Sequence, residues 1–151
     1  MIKINVIAVG KVKESYFREA VEEYSKRLQK FCKINIIEVK EENLSSVEKT
    51  LSTEAENIIS KIKGESVALA VEGDKITSEG LAKLIGGAVD RGEELTFIIG
   101  SSNGLDQRVK LAAKRSISFS DMTFPHTLAR VMLMEQIYRA FTIINGVTYH
   151  K

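Results

Sequence analysis

The chain has 151 residues, which favours a single domain over residues 1–151 with one buried core. Hydrophobic residues make up 44% and charged residues 28%, a composition too apolar for a disordered chain. The single cysteine, Cys32, excludes an internal disulfide framework and a cysteine-based metal cluster, and it favours a cytoplasmic location. No apolar run approaches the roughly eighteen residues of a membrane span, and the first strand-like segment lacks a signal-peptide cleavage motif. We therefore expect no membrane association.

The net charge of +2 is unevenly distributed along the chain. Residues 1–40 carry a net charge of +4, residues 41–100 a net charge of −6, and residues 101–151 a net charge of +4. Two basic ends around an acidic middle predict a basic surface, formed jointly by the termini, that suits an anionic partner. Chance clustering on a solvated surface explains the same sums equally well.

Strand and helix patterns alternate along the whole chain. In chain order, apolar periodicity predicts a strand at 2–9, a helix at 14–31, a strand at 34–39, a helix at 45–62, a strand at 66–71, a helix at 77–89, a strand at 95–99, a helix at 106–114, a strand at 116–119 and a helix at 125–144. Continuous apolar strands that alternate with helices indicate an α/β fold with a parallel sheet. No repeat, linker or low-complexity stretch interrupts this pattern.

Polar residues and glycines mark the ends of several predicted elements. The predicted helix starts are Ser15, Ser45 with Glu48 as a capping box, and Thr77 or Ser78. Gly64 is expected at the left-handed position after the second helix, and residues 72–74 are expected to form a turn. The pair Gly86–Gly87 is unfavourable inside a helix, and we interpret it as close packing on the sheet.

Two loops at predicted strand ends suit a ligand, because ligands of open α/β sheets bind beyond the carboxyl ends of the strands. The first loop, residues 100–104, contains glycines that leave space at the backbone, although a plain strand–helix turn has the same composition. The second, residues 119–126, holds two aromatic residues and Met122 after a short strand. It could wrap a flat heteroaromatic ligand, or it could form a hydrophobic lid over the core.

The predicted helix 125–144 is apolar on almost every side, so it must be buried in a core or in a subunit interface. Because such a small domain offers little cover for it, we expect a dimer built on this helix. The helix also contains Arg130, Glu135 and Arg139, and the last two are four residues apart and can pair on one face. Buried charges need partners or a task, so the pair either fixes an interface or belongs to a site.

His126 and His150 are the only histidines, and neither lies in a metal-binding spacing, so we predict no metal. The terminal residues Tyr149, His150 and Lys151 combine an aromatic ring, an imidazole and an ammonium group. Such a combination is suited to contact a nucleic acid, although a frayed end is equally ordinary.

Five segments of the chain resemble a known family. They are MIKINVIAVGKVKESYF, ALAVEGDKITSEGLA, LTFIIGSSNGL, SISFSDMTFPHTLARVMLMEQIYRA and INGVTYHK. Together they are similar to the RlmH family of bacterial SPOUT-class RNA methyltransferases, and the resemblance spans the whole chain. The motifs PHTLARVMLMEQIYRA and YHK, which occur in register, are its most specific part.

The resemblance implies a SPOUT-type fold, with a mostly parallel sheet flanked by helices and a C-terminal trefoil knot. It implies a homodimer with the site at its interface and S-adenosyl-L-methionine held in the knot. The implied reaction is methylation of N3 of a pseudouridine in 23S rRNA of the large ribosomal subunit, on assembled ribosomes. The small net charge also favours a substrate presented by a preassembled particle. The alternatives are a non-enzymatic ribosome- or RNA-binding module and a SPOUT methyltransferase that acts on tRNA.

The resemblance also assigns residues. The family's cofactor contacts match Leu69, Gly100, Phe119, Ser120, Asp121, Met122, Thr123 and Phe124. The family usually has a second glycine where this chain has Ser101. The catalytic candidates are His126, Glu135, Arg139, Tyr149 and His150, and Arg130 matches a further conspicuous polar position. We expect His150 and Arg139 to face the target base and its phosphate, and Glu135 to orient Arg139.

Overall fold

The computed structural model describes residues 1–151 and contains the ten predicted elements in their predicted order. They are β1 (Lys3–Val9), α1 (Ser15–Leu28), β2 (Lys33–Val39), α2 (Val47–Ile59), β3 (Glu65–Lys75), α3 (Ser78–Arg91), β4 (Leu95–Ile99), α4 (Gln107–Ala112), β5 (Arg115–Ser118) and α5 (His126–Ile144).

The five strands form one sheet in the order β2-β1-β4-β3-β5, and every pair in it is parallel. All five residues of β4 are buried, because this strand lies in the middle of the sheet and has a helix layer on each face. A strand that is buried on both faces is apolar throughout, which is why its sequence does not alternate. The predicted α/β fold with a parallel sheet is confirmed.

The helices divide into two layers. Helices α1, α3 and α5 pack together on one face of the sheet, over a core of twenty buried residues. Helices α2 and α4 cover the other face, where Ala55, Ile58 and Val109 contact the inner strands. Cys32 lies in the larger core, where burial raises the pKa of its thiol to about 12 and leaves it protonated.

Helix α5 is covered within its own chain. Leu133, Met134 and Ile137 are fully buried in the core that α1, α3 and the sheet share with this helix. The expectation that so small a domain could not cover this helix is therefore wrong, because α1 and α3 supply the cover. The homodimer then rests on the family resemblance and not on an unpartnered helix.

Several predicted element ends shift by one or more residues. Ser46, not Ser45, caps α2 by accepting a hydrogen bond from the backbone N–H of Lys49 at 3.1 Å. Thr77 caps α3 as predicted, whereas Ser15 is the first residue of α1 and Glu14 precedes it without a side-chain cap. Gly64 lies five residues beyond the end of α2. It has a φ of +67°, and a Cβ there would lie 2.0 Å from the carbonyl oxygen of Glu94.

The turn predicted at residues 72–74 is wrong, because β3 continues through these residues to Lys75. The strand shifts register instead: Leu69 and Asp74 are both paired with Ile117 of β5, so the residues between them bulge from the ladder. Gly73 permits this bulge, since a Cβ there would lie 2.8 Å from the backbone of β5.

No helix combines the length and apolar character needed to span a bilayer. The C-terminal trefoil knot implied by the resemblance stays a prediction.

Burial of α5 in the core can be measured directly. Leu133→Ala should lower the free energy of unfolding by about 2–5 kcal/mol, because the lost methyl groups leave a cavity in a fully buried site. Leu111→Ala is the matched control, because Leu111 is 75% exposed, and it should leave the urea midpoint unchanged. Equal midpoints for the two variants would contradict the buried position of α5.

Candidate functional site

The carboxyl ends of three neighbouring strands frame a pocket of about 640 Å³. It is lined by residues that follow β4, by the bulge of β3 and by the loop between β5 and α5. Because parallel strands place their carboxyl ends at one edge, the two loops singled out in the sequence meet here. The volume lies in the range of pockets that hold small molecules and cofactors.

Seven of the eight residues matched to the family's cofactor contacts line this pocket. They are Leu69, Gly100, Phe119, Ser120, Met122, Thr123 and Phe124. Asp121 does not line it, because its carboxylate pairs with the ammonium group of Lys75 on the exposed side of the loop. Its cofactor contact, which the resemblance assigns as part of the loop 119–124, stays a prediction.

Most backbone N–H groups of the loop 119–124 have no partner in the chain. The loop's one backbone N–H with a partner is that of Met122, which donates to the hydroxyl of Ser120 at 3.0 Å. The hydroxyl of Ser118 donates to the carbonyl oxygen of Ser120 at 2.9 Å and holds the loop start. The remaining N–H groups of the loop are left for a ligand or for water.

Gly100 was expected to leave space for a ligand, but the structure shows that it leaves space for the backbone of its own loop. A Cβ at this position would lie 2.3 Å from the carbonyl oxygen of Gly104, so it would strike the loop's own backbone and not a ligand. The neighbouring Ser101 closes the same loop: its carbonyl oxygen accepts from Gly104 N–H at 2.9 Å, and its hydroxyl accepts from Asn103 N–H at 3.2 Å. A serine is therefore accommodated where the family has glycine.

One wall of the pocket was not among the residues predicted from the sequence. Ala70, Val71 and Glu72 belong to the bulge of β3 and line the pocket, where Glu72 forms an ion pair with Lys110 of α4. Nothing in the local sequence signals this wall, because it exists only through the register shift between β3 and β5.

A second group of predicted residues forms a polar network on α5 and the terminal residues. The carboxylate of Glu135 accepts two hydrogen bonds from Arg139, from Nε at 3.0 Å and from Nη2 at 2.7 Å. The hydroxyl of Tyr149 donates to the same carboxylate at 3.0 Å. The guanidinium carbon of Arg139 also lies 4.8 Å from the centre of the Tyr149 ring. Glu135 thus orients both side chains, as expected for Arg139.

His150 completes the network and is held on both ring nitrogens. Arg139 Nη1 lies 3.1 Å from Nδ1, and Glu79 Oε1 lies 2.8 Å from Nε2. Because a guanidinium can only donate, Nδ1 must accept, which assigns the ring proton to Nε2 and directs it at Glu79. Glu79 was not a candidate in the sequence, since 71 residues separate it from His150.

The network shifts the pKa of several of its groups. Burial and the bond to Glu135 raise the pKa of Tyr149 to about 12, so the phenol remains protonated. The hydrogen bond to Glu135 raises the pKa of Arg139, and the hydrogen bond from His150 lowers the pKa of Glu79. The result is a fixed guanidinium cation in contact with the imidazole of His150.

The remaining polar candidates lie apart from this network. His126 lines the pocket at the start of α5, nine residues before Glu135, a separation of about 14 Å along a helix axis. Arg130 is buried elsewhere, where it donates to Glu38 at 2.6 Å and to the carbonyl oxygen of Gly10 at 3.0 Å. It ties α5 to the ends of β1 and β2. The chain places no three histidine, cysteine or acidic side chains together for a metal ion.

A smaller pocket of about 400 Å³ lies next to the polar network and shares one lining residue with the first pocket. Phe119 borders both pockets, and Glu135 lines the smaller one together with the first residues of α3. Phe119 therefore lies between the two groups of candidates.

The chain is similar to methyltransferases along nearly its whole length. Residues 2–150 match the family model described as "Predicted SPOUT methyltransferase". Ribosomal RNA large subunit methyltransferase H from Caldicellulosiruptor saccharolyticus is 50% identical over 153 residues, covering 98% of this chain and 99% of the relative. The protein of the same name from Acetivibrio thermocellus is 46% identical over 159 residues, covering 99% of this chain and 100% of the relative.

Among solved structures, a methylase family protein from Neisseria gonorrhoeae superposes with a TM-score of 0.55. The alignment covers 97% of this chain and 95% of that protein at 10% identity, which supports a shared fold.

The close contact at Gly100 predicts that alanine has opposite effects on stability at Gly100 and at Gly86. Gly100→Ala should lower the free energy of unfolding by about 1–3 kcal/mol, because its Cβ collides with backbone. In Gly86→Ala the new Cβ lies 3.7 Å from its nearest neighbour, Cγ1 of Ile144, which is an ordinary contact. This variant should raise the free energy of unfolding by about 1 kcal/mol, since alanine favours a helix. Urea unfolding measures both, and a stable Gly100→Ala protein would show that the loop 100–104 has another shape.

The hydrogen bond from Tyr149 to Glu135 predicts that Tyr149→Phe lowers the stability of the protein by an amount that depends on pH. At pH 8 this variant should be less stable by about 1.5–3 kcal/mol, the usual contribution of a hydrogen bond to a charged group. Because folding raises the pKa of Tyr149 from 10.0 to about 12, the bond contributes fully below pH 10 and is lost as the pH rises through 12. Unfolding free energies measured from pH 8 to 12 should therefore converge, and a constant difference would refute the bond.

Proposed function

The chain belongs to the SPOUT methyltransferases and, within them, to the RlmH family, and from this premise we propose that it methylates N3 of a pseudouridine in 23S rRNA of the large ribosomal subunit. We propose S-adenosyl-L-methionine as the methyl donor and the assembled ribosome as the substrate. The observation that carries the proposal is the network of Glu135, Arg139, Tyr149 and His150 beside a cofactor-sized pocket.

The pocket fits the donor in size and in chemistry. Apolar walls that include Leu69 and Phe119 suit a flat adenine ring, and the free backbone groups of the loop 119–124 suit its polar edge. The ion pair of Glu72 and Lys110 offers both signs of charge to an amino-acid group. When bound, S-adenosyl-L-methionine supplies a methyl group on a cationic sulfur that a nucleophile can attack. The chain's own contribution is to bind, to orient and to exclude water.

The chemistry of the target explains the polar network. N3 of pseudouridine carries a proton, so its lone pair becomes available for attack only when that proton leaves. A fixed cation such as Arg139 stabilises the negative charge of the deprotonated ring, and Glu135 holds it in place before the substrate arrives. His150 carries a lone pair on Nδ1, which can accept the proton once the imidazole moves away from Arg139 Nη1, while the two bonds from Arg139 to Glu135 stay in place.

The two alternative functions are disfavoured by the comparisons with known proteins. A non-enzymatic binding module is disfavoured by membership of a methyltransferase family. A SPOUT enzyme for tRNA is disfavoured by the names of the two relatives, each a ribosomal RNA large subunit methyltransferase. Each alternative remains an outcome that the assay below can return.

We further propose that residues 1–151 act as one domain in a cytoplasmic homodimer, as the resemblance implies. Light scattering at micromolar concentration should give about twice the mass of one chain, 16.8 kDa. A mass near that of one chain would contradict the dimer.

The function is tested by transfer of a labelled methyl group. Purified protein and S-adenosyl-L-methionine are incubated with assembled ribosomes from a strain that lacks this modification, with protein-free 23S rRNA and with tRNA. Mass analysis of the nucleosides should show methylpseudouridine only from ribosomes. Calorimetry should show donor binding without RNA. Label in tRNA, or donor binding without any transfer, would contradict the proposal.

The terminal residues supply the sharpest test of mechanism. Deletion of residues 149–151 should abolish methyl transfer and leave donor binding nearly intact, because the loops around the pocket lie elsewhere in the chain. His150→Ala should slow single-turnover transfer by about 10²–10⁴-fold, the usual contribution of a general base. Thr148→Ala is the matched control, since this exposed side chain has no hydrogen bond. Wild-type rates for the deleted protein would remove these residues from the mechanism.

A further inference from the structure

A third pocket, of about 330 Å³, lies between α3 and the start of β5 and is lined by cations. Lys83, Arg91 and Arg115 line it, and no acidic side chain does. Lys83 is exposed and forms no ion pair in the chain. Arg91 and Arg115 have side chains that are 47% and 45% exposed, so their free N–H donors are accessible from solvent.

One buried carboxylate holds the two arginines together. Glu65, whose side chain is 3% exposed, accepts from Arg91 Nη2 at 2.9 Å and from Arg115 Nη2 at 3.1 Å. Lys114 adds a third cation to Glu65 at 3.6 Å, and Glu93 pairs with Nε of Arg91 at 3.2 Å. These contacts orient the guanidinium groups, and the cations still outnumber the two carboxylates when Lys83 is included. An oriented pair of guanidinium groups matches the geometry of a phosphate.

The glycine pair in α3 gains an explanation at this pocket. Gly87 lines it, and a Cβ there would lie 3.0 Å from Nη1 of Arg91. Glycine is unfavourable inside a helix, so its presence here keeps space for the guanidinium group at the pocket wall. The interpretation of Gly86–Gly87 as close packing on the sheet is therefore wrong for Gly87, which faces a side chain of its own helix.

The basic pocket adjoins the candidate site. Ile76 borders both this pocket and the one that contains Glu135. Along α3, Glu79, Lys83, Gly87 and Arg91 follow one another at intervals of four residues, so they form a single row on the helix surface. The row begins at the carboxylate that holds His150.

We propose that the pocket of Lys83, Arg91 and Arg115 binds a backbone phosphate of the substrate RNA, close to the nucleotide that enters the site. This inference rests on the proposed function and adds the surface that holds the RNA strand. A phosphate contact of this kind is made equally in the ground state and the transition state, so it sets affinity and not the rate of the chemical step.

The test compares Lys83→Ala with Lys49→Ala, since Lys49 is also an exposed, unpaired lysine but lies on α2, on the opposite face of the sheet. Lys83→Ala should raise the dissociation constant and the KM for unmethylated ribosomes about tenfold, with kcat and donor binding unchanged. The slope of log affinity against log salt should become less steep by about 0.7–0.9, the loss of one phosphate contact. Lys83→Arg should restore most of the affinity, and Lys49→Ala should behave as wild type.

Gly87→Ala provides a second variant that keeps every charge. Its Cβ moves Nη1 of Arg91 by only a few tenths of an ångström, so it should weaken ribosome binding less than Lys83→Ala and leave the thermal midpoint as high as that of wild type. Unchanged ribosome affinity in Lys83→Ala, or an equal loss in Lys49→Ala, would overturn the proposal.

A separate arm distinguishes RNA from a small anion. Titration with inorganic phosphate and with adenosine monophosphate should show only weak, millimolar binding at the pocket. Micromolar binding of either anion, without an effect of Lys83→Ala on ribosomes, would assign the pocket to a small ligand. If the wild-type protein methylates no ribosomal RNA, the proposed function fails; if it does and these variants act as wild type, this inference alone fails.

Discussion

The double burial of β4 is the constraint on which the rest of the structure depends. A strand with both faces covered needs neighbours on each side and a helix layer above and below, and a parallel sheet meets this need through crossover helices. The order β2-β1-β4-β3-β5 then gathers the carboxyl ends of β4, β3 and β5 at one edge. The pocket lies where the chain leaves these three strands, and its walls are the bulge of β3 and the segments that follow β4 and β5.

The sequence predicted the elements well where burial alone decides them. Leu95–Ile99 is apolar without alternation because both faces are covered, and the ten elements follow from such patterns. The cover of α5 was not predictable, because the positions of α1 and α3 over it are set by crossovers and not by local pattern. Gly64 was misplaced for a similar reason: the residue it must avoid is Glu94, thirty residues later in the chain.

The candidate site also contains some contacts that the sequence predicts and others that it does not. The pairing of Glu135 with Arg139 follows from helical spacing, and the resemblance supplied the residues around the pocket. No local signal joins His150 to Glu79, yet this contact holds the last residues of the chain against α3 and leaves the lone pair of Nδ1 towards Arg139. Long-range pairing therefore decides which atom of His150 is available to accept a proton, and sequence spacing carries no information about it.

The basic pocket shows that the net charge of a sequence segment does not predict the charge of the surface it forms. Lys83 and Arg91 belong to the most acidic segment, residues 41–100, where segment totals indicate repulsion of an anion. Two of these acidic residues illustrate the point: Glu54 is buried beside Ser101 on the opposite face of the sheet, and Glu65 holds two arginines of the basic pocket. A buried carboxylate that orients cations contributes to an anion site, because it fixes their geometry while leaving other donors free. The small net charge of the protein is thus compatible with a concentrated positive pocket beside the reactive network.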